Sequence, residues 1–284
     1  MAVAPGTGLE LERRFAWRGR EIAWTAVGSG PPLVMCHGTP WSSWLWAPFA
    51  RALAAEFTVH LWDMPGYGVS SKDPGHEVDL GTQGEAFAAL LEHCGLDAPH
   101  VIAHDYGGAV SLRAHLLHGR DYASLCLVDV VALRPWGSAF FTLVAEHADT
   151  FARLPEPVHR GALEAYVAGA SHRGLRPDET AAILAPWLDA VGQAAFYRQV
   201  AEADERFTAE LEPHLGEITA PTHIVWGEQD TWIPPDRAER LAAAIDSSTL
   251  TIVPDAGHLI QLDAPVALAT ELHRWLTAAT AGAH

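Results

Sequence analysis

Four short, almost unbroken apolar runs mark the first half of the chain: "PPLVMCHG" (31–38), "FTVHLWD" (57–63), "HVIAHD" (100–105) and "SLCLVDV" (124–130). Runs of this length without polar alternation suit strands covered on both faces, and sheets covered on both faces are usually parallel. Segments with helical periodicity separate them: 45–55, "GTQGEAFAALLEHCG" (81–95), where Gly95 suits a C-cap, and "GGAVSLRAHLLHG" (107–119). This alternation predicts an α/β fold with a doubly wound, mainly parallel sheet. Upstream, "LELERRFAWRG" (9–19) and "REIAWTAVGSG" (20–30) alternate polar and apolar residues and predict two antiparallel strands joined near Gly19.

The rhythm breaks over residues 134–213, which carry helical patterns and no convincing strand. Pro135, Pro155, Pro157, Pro177, Pro186 and Pro213 punctuate them into short helices. Alternation resumes with "PTHIVWGEQD" (221–230), a helix from Asp236, "STLTIVPD" (248–255) and a last helix from about residue 263. The expectation is one core domain, 1–133 and 214–284, with an inserted helical cap, 134–213.

Hydrophobic residues make up 49% of the 284, ample for a sizeable core, and the net charge is −17. So acidic a chain lacks the basic face that nucleic acid or an anionic membrane requires. Cys36, Cys94 and Cys126 show neither disulfide nor zinc spacing and are expected to be free thiols in a reducing compartment. The N-terminal "MAVAPGTGLELERR" lacks the apolar stretch of a signal peptide, so the cytoplasm is the expected location.

The fifth predicted strand ends in Ala103-His104-Asp105-Tyr106-Gly107. A nucleophile on a sharp strand-to-helix turn needs small residues two positions either side, and Ala103 and Gly107 supply them. The alternative is Asp105 as a plain N-cap of the next helix. A carboxylate nucleophile has a definite use. Serine attacking a saturated carbon would leave an ether that water does not cleave, whereas a carboxylate leaves an alkyl ester, open to water at its carbonyl. Such a nucleophile implies an electrophilic carbon carrying a halide or belonging to an epoxide. The ester then needs a base for water, which His258 in "VPDAGHLIQLD" could be, and the base needs an orienting carboxylate. His37, His104 and His118 read as structural or supporting.

Together "HGTP" (37–40), "DMPGYGVS" (63–70), "AHDYGG" (103–108), "GEQD" (227–230) and "DAGH" (255–258) resemble the α/β-hydrolase superfamily, in its order and over nearly the whole chain. Asp at the elbow resembles the branch of haloalkane dehalogenases and epoxide hydrolases. The resemblance implies a triad of Asp105, His258 and Asp230. Asp129, after "SLCLV", is the second choice for the acid, because one branch of the dehalogenases places it there. The resemblance also implies a cis Thr39–Pro40 bond and leaving-group stabilisation by the backbone N–H groups of Thr39 and Tyr106.

Substrate cues divide. "HGTPWSSWLW" (37–46) is similar to the dehalogenase pattern HGxPxSSxLW, but the usual halide-holding Trp after the nucleophile and Asn after "HG" are replaced by Tyr106 and Thr39. Trp41, Trp44, Trp46, Trp136 or Trp187 could supply an indole N–H instead, with Trp41 and Trp187 expected on the pocket wall. "AAFYRQ" (194–199) resembles the segment around a cap tyrosine of epoxide hydrolases and offers Tyr197. Tyr166 would be its partner, though simple packing is the preferred reading there. Arginines that hold a substrate carboxylate in haloacid-cleaving relatives are absent: Tyr106 and Ala109 stand in their places, and Arg113 is expected to point elsewhere.

The expected activity is therefore hydrolysis of an uncharged carbon–halogen compound. The alternatives are epoxide opening to a vicinal diol, esterase or C–C bond hydrolysis with another nucleophile, and a non-hydrolytic ligand-binding or biosynthetic protein on the same fold. The partner is a small-molecule substrate, and monomer and homo-oligomer both stay open. No metal or cofactor is called for, because the triad supplies nucleophile, base and orienter.

Overall fold

The structure is a computed structural model that describes residues 8–281. Among these residues eight strands form one sheet: β1 (Arg13–Trp17), β2 (Arg20–Gly28), β3 (Pro32–Cys36), β4 (Thr58–Trp62), β5 (His100–His104), β6 (Ser124–Val128), β7 (Thr222–Gly227) and β8 (Ser248–Val253). Their order is β1-β2-β4-β3-β5-β6-β7-β8. β1 pairs antiparallel with β2, and β2 with β4; every other pairing is parallel. The mainly parallel sheet expected from the apolar runs is present. β1 is shorter than its alternation suggests, since Leu9 to Glu12 stay outside it. The β1–β2 turn has positive φ at both Arg18 (47°) and Gly19 (75°), which matches the twist of a two-residue hairpin.

Helices α1 (Ala47–Leu53), α2 (Leu80–His93) and α3 (Tyr106–Leu116) connect the first strands. The α2 ends follow their capping chemistry. Asp79 accepts the Thr82 N–H at 2.8 Å, and Gly95, at φ 65°, lets its own N–H and that of Leu96 return to Glu92 and Leu91. Between β6 and β7 the described chain is helical: α4 (Ala139–Phe151), α5 (Glu156–Ala168), α6 (Pro177–Leu184), α7 (Ala190–Ala201) and α8 (Arg206–Ala209), with 3-10 turns. Pro157 and Pro177 lie in the first turns of α5 and α6, where a missing N–H leaves no bond unmade. The chain closes with α9 (Asp236–Ala244), α10 (Ile260–Asp263) and α11 (Pro265–Ala281).

Period-2 geometry divides the strand residues between two cores. Val34, Cys36, Val101, Ala103, Leu125, Leu127 and Trp226 face α2, α3 and the helical insertion. Leu33, Met35, Ile102, Cys126, Val128 and Val225 face α1 and α11, meeting Phe49, Leu268, Leu272 and Leu276. Each fully buried aliphatic side chain in these layers contributes roughly 1.5–3 kcal/mol. The three cysteines are free: Cys36 and Cys126 are buried, Cys94 half-buried.

No helix among the described residues is long and apolar enough to cross a membrane. The leader question falls largely on residues 1–7, outside the described residues, as do the outermost ends of the expected core domain.

The sheet and α3 meet so closely that Gly107 has no room for a side chain. A Cβ there would stand 2.7 Å from the His37 carbonyl oxygen and 2.8 Å from that of Cys36. Gly107→Ala must push α3 off the end of β3, and urea unfolding should show a loss of about 1–3 kcal/mol. An unchanged midpoint would mean that the two elements are not rigidly packed.

Candidate active site

Asp105 joins β5 to α3 at φ 53° and ψ −122°, a conformation strained for any L-residue. Its carboxylate makes no cap bond to α3, so the plain N-cap alternative fails. Instead Oδ1 accepts the Thr39 backbone N–H at 2.6 Å, and Oδ2 lies 3.1 Å from His258 Nε2. Gly38 is needed for this approach, because a Cβ there would fall 2.2 Å from Asp105 Oδ1. The Thr39–Pro40 bond is cis, as expected.

His258 follows β8 in a loop that the insertion helps to hold. Asp263 accepts the Gly257 N–H, the His172 N–H and the Ser171 hydroxyl at 2.8, 2.7 and 2.5 Å. The imidazole Nδ1 lies 2.9 Å from Asp230 Oδ2. Asp230 Oδ1 accepts the N–H groups of Trp232 and Ile233 at 2.8 and 2.9 Å. The side chains of Asp105, Asp230 and His258 are all buried. Burial pulls the His258 pKa down, but Asp230 and Asp105 outweigh it and hold it well above the ordinary histidine value. Burial would raise the Asp105 carboxyl; the hydrogen bond and charge of His258, with His104 and the Thr39 N–H, hold it below the ordinary carboxylate range instead.

Of the two candidate acids, Asp230 is the one that meets the imidazole. Asp129, the second choice, sits one strand away at φ 44° and accepts the Gly227 N–H at 2.8 Å through Oδ1. Its Oδ2 meets no donor among the described residues. Burial, then the negative charge of Asp230, raise its pKa well above the usual value and favour the protonated form. His104 donates from Nε2 to the His258 carbonyl at 2.9 Å, and burial lowers its pKa to about 3, so it stays neutral. His37 is likewise structural: Nδ1 donates to the Gly38 carbonyl, and Nε2 accepts the Met64 N–H.

A cavity of about 190 Å³ opens over Asp105 and Thr39, walled by Tyr106, Trp136, Phe141, Tyr166 and Trp232 among others. The Tyr106 hydroxyl is buried with no partner among the described residues. Two expected wall residues, Trp187 and Trp41, and the leaving-group candidate Tyr197 are not part of this lining. Trp187 donates its indole N–H to the Pro40 carbonyl at 2.8 Å, tying the insertion to the "HGTP" loop. Trp41 packs on Trp232 at 5.7 Å between ring centroids, and its buried N–H meets no partner among the described residues. Tyr197 turns into the insertion, where its hydroxyl donates to His159 Nδ1 at 3.0 Å. The reason is helical phase, because residues two apart on a helix face opposite ways. Gln199 is the α7 side chain that meets the site, its Oε1 accepting the Thr39 and Tyr67 hydroxyls at 2.7 and 2.9 Å. Trp46 and Trp136 engage their indole N–H groups with Cys36 O and Thr208 Oγ1. Arg113 bonds to Phe207 O and Glu210, away from the site, as expected.

Gln199, Tyr67 and Trp232 escaped the sequence reading. Each lies in or beside a motif singled out for other residues: Tyr67 in "DMPGYGVS", Gln199 at the end of "AAFYRQ", and Trp232 two residues beyond the proposed acid.

Residues 31–265 match the family described as the alpha/beta hydrolase fold. The chain is 28% identical over 273 residues to haloalkane dehalogenase 2 of Mycobacterium tuberculosis, covering 90% of this chain and 91% of that protein. It is 30% identical over 264 residues to the dihydrolipoyllysine-residue acetyltransferase component of the acetoin cleaving system of Pseudomonas putida, covering 87% of this chain and 64% of that protein. Among solved structures, an alpha/beta hydrolase fold protein from Burkholderia ambifaria superposes with a TM-score of 0.90 at 44% identity, over 93% of this chain and 98% of that one.

The two aspartates near the imidazole are separable by experiment. Asp230→Asn should cut turnover of any processed substrate on the order of 10⁴-fold, the scale of losing an orienting carboxylate. Asp129→Asn, which replaces a protonated acid by an isosteric donor, should leave turnover near wild type. The reverse ranking would make Asp129 the working acid.

Proposed function

Because the chain belongs to the α/β-hydrolase fold family, we propose that it is a hydrolase in which Asp105 attacks the carbon of a small uncharged electrophile, with a carbon–halogen compound as the leading class. The observation that carries this reading is the Asp105 carboxylate, lifted off the helix it could cap and aimed between the Thr39 N–H and His258. Oδ2 forms a bond to carbon while the halide leaves with the bonding pair, giving a neutral alkyl ester whose carbonyl oxygen is Oδ1. Water then adds to Cγ, and His258 Nε2 takes its proton. The negative charge develops on Oδ1, where the Thr39 N–H already points. Collapse expels the alkoxide and leaves Asp105 as the carboxylic acid, which loses the second proton of the added water to solvent once His258 is neutral again, regenerating the carboxylate. The proton held by His258 neutralises the alkoxide as it departs, and Asp230 stabilises the imidazolium meanwhile.

Ester formation also readies the base. The free enzyme holds His258 well above its ordinary pKa through two carboxylates. Alkylation removes the charge of one of them, so the imidazole gives up its proton more readily when a base is needed.

Halide departure fits the cavity better than epoxide opening. A halide needs hydrogen-bond donors and no proton, and the unpartnered Tyr106 hydroxyl on the wall is such a donor. Burial drives the Tyr106 and Tyr166 phenols well above their ordinary pKa, making them poorer acids. Epoxide opening asks for a proton, and with Tyr197 turned away the insertion offers only Tyr166 of the expected pair. The dehalogenase relative of similar length supports the same class. The acidic surface and the wall's lack of cationic side chains favour an uncharged substrate.

His258→Gln should stop the cycle at the ester. Intact-mass analysis after incubation with a halide panel should show the alkyl group added to Asp105, and wild-type protein should release halide. No adduct across halide and epoxide panels, or saturable binding without turnover, would defeat the reading. The two half-reactions should also part in their pH dependence. Alkylation needs ionised Asp105, whose pKa lies low, so its rate should hold as pH falls. Ester hydrolysis needs neutral His258, so its rate should drop as pH falls through the imidazole pKa of the alkyl-enzyme. Rapid-quench single turnovers that show parallel profiles would contradict the assignment of these roles.

A further inference from the structure

One aromatic side chain meets both His258 and the cavity above Asp105. Trp232 is fixed at its backbone, where its N–H, with that of Ile233, donates to Asp230 Oδ1. Its indole stacks on the His258 imidazole, ring centroids 5.2 Å apart and planes 26° from parallel. Tyr166 of α5 stacks on the same indole at 4.7 Å and 29°, and Trp41 at 5.7 Å and 23°. Trp41 in turn tilts against His258 at 6.5 Å. Trp232 also forms part of the cavity wall over Asp105.

We infer that Trp232 is a positioning residue for His258, its indole face fixing the plane of the imidazole and favouring its cationic form. The physical basis is twofold. A cation over an indole face is attracted by the ring quadrupole, more strongly for Trp than for Tyr or Phe. A ring held by hydrogen bonds at both nitrogens cannot swing, but one held at a single nitrogen can. In the free protein His258 is held at Nδ1 by Asp230 and at Nε2 by Asp105. Once Asp105 is an ester, the strong contact at Nε2 is gone, and the stack on Trp232 keeps that nitrogen aimed at the water beside Cγ. This kinetic consequence rests on the alkyl-ester reading above; the stacking effect on the free imidazole does not. The titratable groups that face His258 are Asp105 and His104 from the β5 elbow, Asp129 after β6 and Asp230 after β7. None is altered by replacing Trp232.

NMR titration of the His258 imidazole in the full-length, substrate-free protein tests the inference. Trp232→Leu should lower the titration midpoint by roughly one pH unit, and Trp232→Phe should recover part of that loss. An unchanged midpoint in the leucine variant, or equal losses in both, overturns it. Should the leucine variant not fold, Trp232→Tyr and Trp232→Phe provide the test: their midpoints should fall below wild type, and midpoints equal to wild type overturn the inference. With a halide processed by the wild type, folded Trp232→Leu should accumulate the Asp105 ester, because hydrolysis slows more than alkylation. Equal slowing of both steps counts against the positioning role. A lowered midpoint together with no ester in His258→Gln would sustain the stacking effect while rejecting the alkyl-ester reading.

Discussion

The site depends on one carboxylate placed where a helix cap would normally be. The left-handed turn at Asp105 lifts its side chain away from the α3 amides, and the Thr39 N–H and His258 take it up instead. Strain of this kind costs on the order of 1–3 kcal/mol and persists only where the surroundings over-determine it. Here they do so by excluding side chains. Gly38 and Gly107 leave no room for a Cβ, and Gly108 presses on Val130 at a distance that would be 2.3 Å from an added Cβ. The glycines that make the elbow possible thus also lock Asp105 against the "HGTP" loop.

The electrostatics follow from that placement. Two buried carboxylates flank one imidazole, and a third buried acid, Asp129, stands close enough to Asp230 for its proton to be favoured. A buried cation between two anions is a paired arrangement, whereas a third negative charge would be unpaired and costly. Protonation of Asp129 resolves the excess. The aromatic rings of Trp232 and Trp41 complete the enclosure without adding charge.

The helical insertion reaches the site through few contacts. Gln199 meets Thr39 and Tyr67, Trp187 meets Pro40, and Tyr166 stacks on Trp232. Each joins a residue of the insertion to a loop at the carboxyl edge of the sheet, so the packing of α5 and α7 sets the shape of the space above Asp105. Tyr197 and Gln199 show how finely this depends on phase: two positions along one helix separate a side chain bonded to His159 within the insertion from one bonded to Thr39 of the "HGTP" loop.

The sequence by itself determined the sheet, the elbow and the chain order of Asp105, Asp230 and His258 that the structure brings together. Those features are written locally, in apolar runs of strand length, small residues around Asp105 and loops directly after β7 and β8. Even the helical character of 134–213 was legible, because prolines at helix starts and the absence of strand alternation are short-range signals. Only the tertiary structure decided that Asp230 rather than Asp129 meets His258, that Trp187 and Trp41 stay out of the cavity wall, that Tyr197 turns to His159, and that Trp232 and Gln199 join the site. Those outcomes turn on ångström differences between neighbouring strand ends and on the rotation of helices packed across the fold, which residues far apart in sequence set together.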